Sequence, residues 1–182
     1  MNSAEALTAW FNPTVNSYKR INAPVTASGA TWAPNTITYS GNNRTHMIRV
    51  PGPGRFELRL MDGATNPYLL QAGILAAGID GIENKRNPGK PINVDMYKDG
   101  HKVKGAKKLP LTLDKALSHL NKSKVLKDAF SKETINSYIK LKNIEIKKYH
   151  SSNTKRIGFK GSKQSNKKYI ITQWEKDNSL DC

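Results

Sequence analysis

Apolar and charged residues alternate along the short stretch RFELR, which lies in the N-terminal third of the chain. Alternation is the period of a β-strand, so Arg55, Glu57 and Arg59 are predicted to share one face. Phe56 and Leu58 then point to the opposite face. If the apolar face packs on a core, the charged face lies either in water or in a pocket.

A turn signal precedes this strand. The sequence PGPG at residues 51–54 contains two Pro and two Gly, which together fix a tight bend. We therefore predict a β-hairpin over 45–60, in which strand 45–50 pairs with strand 55–60. A further short strand is predicted at 37–40.

A helix is predicted to follow the hairpin. Asn66 is a good N-cap and Pro67 suits the first helical position, so the helix should begin there and run to about Glu83. Its apolar residues are predicted to pack against the sheet. Three glycines weaken the helix intrinsically, and we expect close helix–sheet contact to compensate, so the helix should be buried. These glycines are Gly73, Gly78 and Gly81.

The remaining pattern is mostly helical. The segments 12–36 and 84–110 are rich in Pro, Gly, Asn or small residues and are predicted to be loops. Thr112 is predicted to begin a short helix, and Ser123 and Ser131 are plausible caps for two more. The last of these shows a partial apolar stripe from about Lys132 to Tyr149, which indicates core packing. The predicted fold class is α+β, with an antiparallel hairpin region followed by packed helices.

Charge is distributed unevenly along the chain. The net charge is +16; residues 1–80 contain 6 basic and 4 acidic side chains, whereas residues 81–182 contain 24 basic and 10 acidic. Such asymmetry raises the possibility of nucleic-acid binding. The surplus is nearly all Lys spread across predicted helices, which is more typical of a solvated surface. We therefore expect non-specific, salt-dependent binding at most.

Cysteine and histidine offer little chemistry. The single Cys182 cannot form an internal disulfide, and no apolar run is long enough to span a membrane, so we expect a cytoplasmic protein. The histidines are scattered, and structural or solvated roles are predicted for all of them. They are His46, His101, His119 and His150.

Arginines crowd the region around the hairpin. Five of them lie between Arg20 and Arg59 and share this window with a single carboxylate, Glu57. Fork-shaped guanidinium groups suit bidentate capture of carboxylate and phosphate oxygens. An anionic ligand is therefore predicted, with Glu57 available to hold a metal. The alternative is a solvated strand face with a surface ion pair of little energetic value.

Long ordered motifs resemble a known family. The segments NPTVNSYKR, GNNRTHMIRVPGPGRFELR and DGATNPYLLQAGILAAGIDGI resemble the C-terminal part of the catalytic domain of glutamine synthetase. These segments are similar in sequence to the branch called type III, which also contains γ-glutamylmethylamide synthetases. The resemblance covers most of 1–150, including a flap loop at 21–43, and returns in a family-like C-terminal segment at 169–182. Between them, 151–168 has no recognised counterpart and is predicted to be an exposed, mobile, basic insertion.

The resemblance implies roles for individual residues. Arg20 would hold the substrate glutamate, and Arg44 would contact both glutamate and nucleotide phosphate. Arg49 and Arg55 would contact ATP. Arg59 would contact glutamate, and Arg44 and Arg59 would be the catalytic cations. Glu57 would bind a divalent metal.

Two departures from the family pattern stand out. The family's flap carries a Glu that shields the intermediate and helps to deprotonate ammonium, but no Asp or Glu occurs from Arg20 to Phe56. The loop between Arg49 and Arg55 is also short, and the nucleotide-binding Lys of bacterial type I enzymes has no match in it.

The implied function is ATP-dependent ligation of glutamate and ammonia through a γ-glutamyl phosphate, with Mg²⁺ or Mn²⁺ as cofactor. Homo-oligomeric rings, or a complementary N-terminal polypeptide, are the implied partners; specific nucleic acid and membranes are not. Two alternatives stay open: a γ-glutamylmethylamide synthetase, and a truncated chain that acts only as a binding module. Since glutamine synthetases are much longer, we expect a C-terminal fragment that is inactive alone.

Overall fold

The computed structural model describes residues 1–23, 32–156 and 173–179, except for the side chains of 153–156, 175 and 179. A small sheet and several packed helices confirm the α+β class. The elements follow in this order: α1 Ala4–Phe11, α2 Ser17–Ile21, β1 Tyr39–Ser40, β2 Ile48–Gly52, β3 Arg55–Leu58, α3 Pro67–Glu83, a 3-10 turn Gly100–Lys102, α4 Leu113–Lys122, α5 Lys124–Phe130, α6 Lys132–Arg156 and α7 Gln173–Ser179.

The predicted hairpin is present in the sheet. Strand β2 pairs antiparallel with β3, and β1 adds to β2 in parallel, in the spatial order β1-β2-β3. The turn between β2 and β3 is Pro53–Gly54, and Gly54 has a positive φ of 69°, a conformation that favours glycine. The strands are shifted from the predicted 45–50 and 55–60, because a bulge between Arg49 and Gly52 extends β2 into the proline-containing segment.

The core is formed by helices around α1. The segment AEALTAWF is rich in helix-forming and apolar residues, and all of its residues except Glu5 are buried. Helix α1 packs against α4 and α3. The Trp10 ring meets Phe130 edge-on at 4.9 Å and Tyr138 at 6.3 Å between ring centroids. These edge-to-face contacts join α1 to the C-terminal helices.

Helix α3 begins and ends where the sequence predicts. The Asn66 side chain accepts hydrogen bonds from the backbone N–H groups of Tyr68 (3.0 Å) and Leu69 (3.1 Å), as expected for an N-cap. The prediction that this helix is buried against the sheet is wrong: it packs on α5 and α1, and Gly73 is its only fully buried residue. Its opposite side is exposed.

The other helices need smaller corrections. Ser123 Oγ accepts a hydrogen bond from Leu126 N, and Ser131 Oγ accepts one from Thr134 N, so both predicted caps are confirmed. Helix α6 continues seven residues past the predicted end, to Arg156, and so includes the start of the predicted insertion. The rest of 151–168 lies outside the described residues.

Two further observations concern loops and membranes. The five-residue helix α2 lies within the predicted loop 12–36, and so short a helix leaves little periodic signal in the sequence. The predicted strand at 37–40 is reduced to the two residues of β1.

Among the described residues, no helix combines the length and apolar character that a membrane crossing requires.

Candidate active site

The hairpin places Glu57 between two arginines. Arg49 and Glu57 are direct partners across β2 and β3, and Arg49 Nη1 lies 2.6 Å from Glu57 Oε2. Arg59 follows two residues after Glu57, and its Nε lies 2.9 Å from Glu57 Oε1. Arg49 therefore donates a hydrogen bond to one carboxylate oxygen of Glu57, and Arg59 forms an ion pair with the other. Glu57 and Arg59 of the predicted charged face thus join Arg49 in a compact ion network.

Exposure differs among the members of this network. The Arg49 side chain is only 12% exposed, whereas that of Glu57 is 41% exposed. Arg49 is held from its other side by Asn42, whose Oδ1 accepts hydrogen bonds from Arg49 Nε (2.9 Å) and Nη2 (2.5 Å). Arg49 is therefore fixed in place, while the carboxylate remains open to an incoming ligand.

The charges around Glu57 change its protonation. A hydrogen bond from Arg49 is the largest factor that lowers the pKa of Glu57, opposed by desolvation. The charges of Arg49, Arg59 and Arg44 lower this pKa further. Glu57 is consequently a carboxylate at neutral pH, the form that a metal ion requires.

Arg44 lies on an ordered turn just before β2. Asn43 Oδ1 accepts hydrogen bonds from Thr45 N (2.9 Å) and Thr45 Oγ1 (2.7 Å), and Asn43 Nδ2 donates to the Val94 carbonyl at 3.0 Å. Arg44 itself is exposed, and its charge acts on Glu57. The segment around Val94, which sequence reasoning left without a role, thus supports the turn that carries Arg44.

His46 strengthens the same support. Its Nδ1 lies 3.0 Å from Thr38 Oγ1, and its Nε2 lies 2.9 Å from the Val94 carbonyl oxygen. The residue is fully buried, and burial lowers its pKa, with the Val94 hydrogen bond and Asp95 opposing. A neutral imidazole with both nitrogens engaged is a structural group, in agreement with the role predicted for it.

Arg20 occupies a different environment. Its Nη2 donates to the Leu60 carbonyl at 2.6 Å and to Asn12 Oδ1 at 2.8 Å, which ties α2 to the end of the hairpin. Burial lowers the pKa of Arg20, and the charge of Asp62 opposes that shift. Arg20 is bonded to Leu60, the neighbour of Arg59, but it does not bond to Glu57. Its predicted role in holding glutamate stays a prediction.

Arg55 is the outermost of the predicted site residues. It lies at the start of β3 opposite Gly52 and is exposed. Strand alternation places it on the same face as Glu57 and Arg59. It forms no ion pair with a described residue, so its guanidinium is available for a mobile anion such as a nucleotide phosphate.

The site has two buried polar atoms that face no partner. Arg59 Nη1 and Arg20 Nε make no hydrogen bond with any described residue. An unsatisfied buried donor costs about 1–3 kcal/mol, so such groups are commonly explained by a bound ligand or water. Arg59 Nη1 is therefore the donor that an anion at this site would satisfy.

A divalent metal would need more ligands than these residues supply. In the described part of the chain, no three His, Cys, Asp or Glu side chains cluster in a way that could hold a metal. Glu57 is the one acidic residue of the network, and both of its oxygens are engaged by arginines. Since Mg²⁺ takes six oxygen ligands, Glu57 fits as one ligand of a larger site and not as a complete site.

Sequence reasoning missed the polar residues that orient the arginines. Asn42, Asn12 and the Leu60 carbonyl all accept hydrogen bonds from predicted site residues. Asn42 lies within the GNNRTH motif, so its proximity to Arg44 was the available signal. The part of the predicted flap at 24–31 lies outside the described residues.

Comparison with known proteins places the chain in a family. Residues 1–158 match the family described as glutamine synthetase, catalytic domain. The chain belongs to this family. The resemblance inferred from the motifs is thereby confirmed.

Relatives within the family carry two names. The chain is 54% identical over 181 residues to a glutamine synthetase of Rhizobium meliloti, covering 100% of the chain and 38% of the relative. It is 44% identical over 149 residues to a glutamate–methylamine ligase of Methyloversatilis universalis, covering 80% of the chain and 33% of the relative. The chain thus aligns with only 38% and 33% of the lengths of these two relatives.

Solved structures agree in fold. A GmaS–ADP complex matches with a TM-score of 0.77 and 49% identity, over 100% of the chain and 37% of that structure. A glutamine synthetase from Plasmodium falciparum matches with a TM-score of 0.65 and 25% identity, over 87% of the chain and 39% of that structure. The hairpin and helices therefore form part of a glutamine synthetase catalytic domain.

Proposed function

We propose that this chain supplies the arginine-rich part of the active site of an ATP-dependent glutamate–ammonia ligase. The observation that carries the proposal is the Arg49–Glu57–Arg59 network on the hairpin, with both Glu57 oxygens engaged and one Arg59 nitrogen left without a partner. The chain's family membership supplies the chemistry: ATP phosphorylates the γ-carboxylate of glutamate, and ammonia displaces phosphate to form the amide.

The proposed role of the arginines is electrostatic. Phosphorylation brings a carboxylate and a triphosphate together, so their negative charges must be neutralised as the reacting atoms approach. Arg44 and Arg59 would act on both anions, Arg49 and Arg55 on the nucleotide, and Arg20 on glutamate. A fixed guanidinium such as that of Arg49 needs little reorganisation before it acts, which is the condition for efficient electrostatic catalysis.

Mg²⁺ or Mn²⁺ would neutralise phosphate charge when bound, with Glu57 as the ligand that this chain contributes. Since the described residues offer no complete metal site, the other ligands must come from elsewhere in the assembly. For the same reason, we expect the isolated chain to make no amide. A homo-oligomeric ring completed by the rest of a catalytic domain is the proposed active form.

A chimera tests the proposal. The aligned region of the Rhizobium meliloti enzyme, to which the chain is 54% identical, is replaced by this chain, and amide formation from glutamate and ATP is measured. Turnover with ammonia supports the proposal. An assembled chimera that binds nucleotide but forms no amide would refute the proposal and favour the alternative that the chain acts only as a binding module.

Methylamine is the second acceptor to examine. The 44% identity to a glutamate–methylamine ligase and the 49% identity to GmaS favour including it. The higher identity to a glutamine synthetase makes ammonia the first choice. Because acceptor choice is a ratio of kcat/KM values, both amines should be assayed on the same chimera.

A further inference from the structure

Helix α3 is apolar on two opposite sides. On one side, Gly73 is buried against α1, so close that an added Cβ would lie 2.9 Å from Leu7 Cδ2 and 3.1 Å from Trp10 Cε3. The other side exposes four large apolar residues, which are Tyr68 (82% exposed), Leu75 (64%), Ile79 (53%) and Ile82 (79%). We call these four residues the α3 stripe.

The α3 stripe runs along one face of the helix, with the exposed Gln71 between Tyr68 and Leu75. Leu75, Ile79 and Ile82 recur at intervals of four and three residues, and Tyr68 lies seven before Leu75, so all four project from the same face. Asp80 and Glu83 are the only charged residues of α3, in a chain whose net charge is +16. A helix that is apolar all round is characteristic of a buried element.

A glycine on the exposed side of α3 supports the same conclusion. A Cβ at Gly78 would meet no atom within 4 Å, so nothing in the described residues requires glycine there. Glycine inside a helix is unfavourable without such a requirement. Close approach of another backbone to this side of α3 would provide it.

Coverage of the relatives indicates what the α3 stripe meets. The chain aligns over its full length with relatives that are more than twice as long, and it covers 38% of the Rhizobium meliloti enzyme and 37% of the GmaS structure. A second copy of this chain is the competing occupant, and the oligomeric state of the isolated chain distinguishes the two.

We infer that the α3 stripe is the docking surface for the part of a glutamine synthetase catalytic domain that this chain does not contain. Burial of Leu75 and Ile79 by that part supplies the apolar contact, and Gly78 allows the backbones to approach. The inference rests on family membership and on the exposed apolar face, and it is independent of the roles proposed for the arginines.

Co-expression tests the inference directly. The tagged chain is produced together with the part of the Rhizobium meliloti enzyme outside the aligned region, and complexes are measured by size-exclusion chromatography. Leu75→Asp should reduce the co-eluting fraction at least tenfold. Leu141→Asp is the matched control, since Leu141 on α6 is similarly exposed at 61%, and it should leave the fraction unchanged.

Cysteine labelling provides a second measurement on a folded assembly. In a Cys182→Ser background, Ile79→Cys should react with a maleimide at least tenfold more slowly in the chimera than in the isolated chain. Leu141→Cys should change less than twofold. Equal rates at Ile79→Cys in the chimera and the isolated chain would overturn the inference, whether or not the co-expressed part folds.

Other outcomes would also overturn it. Equal losses of complex with Leu75→Asp and Leu141→Asp would show that α3 is not the docking surface. If the isolated chain forms oligomers and Leu75→Asp dissociates them, the occupant of the α3 stripe is a second copy of the chain. Arg59→Ala distinguishes this inference from the proposed function, because it should lower amide formation in the chimera about 10²–10³-fold while Ile79→Cys stays protected.

Discussion

Two alanine substitutions on α3 should have opposite effects on stability. Replacing a helix-interior glycine by alanine is worth about 1 kcal/mol in helix propensity. At Gly78 the new Cβ meets no atom within 4 Å, so Gly78→Ala should raise the free energy of unfolding of the isolated chain by about that amount.

At Gly73 the same gain is opposed by a steric cost. The new Cβ would lie 2.9 Å from Leu7 Cδ2 and 3.1 Å from Trp10 Cε3. The end of Leu7 can rotate away, but Trp10 is only 1% exposed and is held by two neighbouring rings. Overpacking of a core costs about 1–3 kcal/mol, so Gly73→Ala should lower the free energy of unfolding by about 1 kcal/mol.

Urea denaturation of the two variants measures this difference. We expect the free energies of unfolding to differ by about 2 kcal/mol, at an unchanged dependence on urea concentration. Equal stabilisation by both substitutions would refute the packing of α3 against α1. Destabilisation by Gly78→Ala would show that the outer side of α3 is already covered within the isolated chain.

Two other predictions concern residues that support the site. Burial lowers the pKa of His46 below its ordinary value of 6.5, so the folded protein favours the neutral imidazole. The stability that His46 contributes is complete above pH 6.5 and is lost as the pH falls through the lower, folded-state pKa. Urea titrations at pH 7.5 and 5.5 should therefore show a loss of stability in the wild type that is smaller in His46→Gln, and equal losses would contradict the prediction. Arg20→Met should reduce the free energy of unfolding by about 1–3 kcal/mol, because the Leu60 carbonyl and Asn12 lose their donor. Arg55→Met, at an exposed position, is the control and should change it by less than about 0.5 kcal/mol; an equal loss in both variants would argue against the structural link made by Arg20.

Local sequence signals predicted the hairpin well. The alternation in RFELR and the glycine and proline of the turn act over a few residues, so they fixed the shared face of Glu57 and Arg59 without knowledge of the fold. The same holds for the start of α3 at Asn66, whose cap depends only on the next three residues. The strand limits were less accurate because the bulge in β2 depends on pairing across the hairpin.

Tertiary contacts were beyond the reach of local patterns. Nothing in the sequence near Arg20 indicates that its guanidinium bonds to the Leu60 carbonyl, forty residues away. The apolar character of α3 predicted burial but not the partner, and the partner on one side proved to be α1 rather than the sheet. The individual roles of the arginines stay predictions, since they depend on substrates and on residues that this chain does not supply.

The most direct test of the ligase proposal measures the contribution of Arg59 to catalysis. In the chimera, kcat for amide formation from glutamate, ATP and ammonia is compared between the parent, Arg59→Ala and Lys115→Ala, an exposed cation on α4. Removal of a fixed donor to developing charge costs about 10²–10³-fold in kcat, so Arg59→Ala should lose activity by that factor and Lys115→Ala should retain it. Full activity of Arg59→Ala in an assembled chimera would contradict the proposal that this arginine network carries the chemistry.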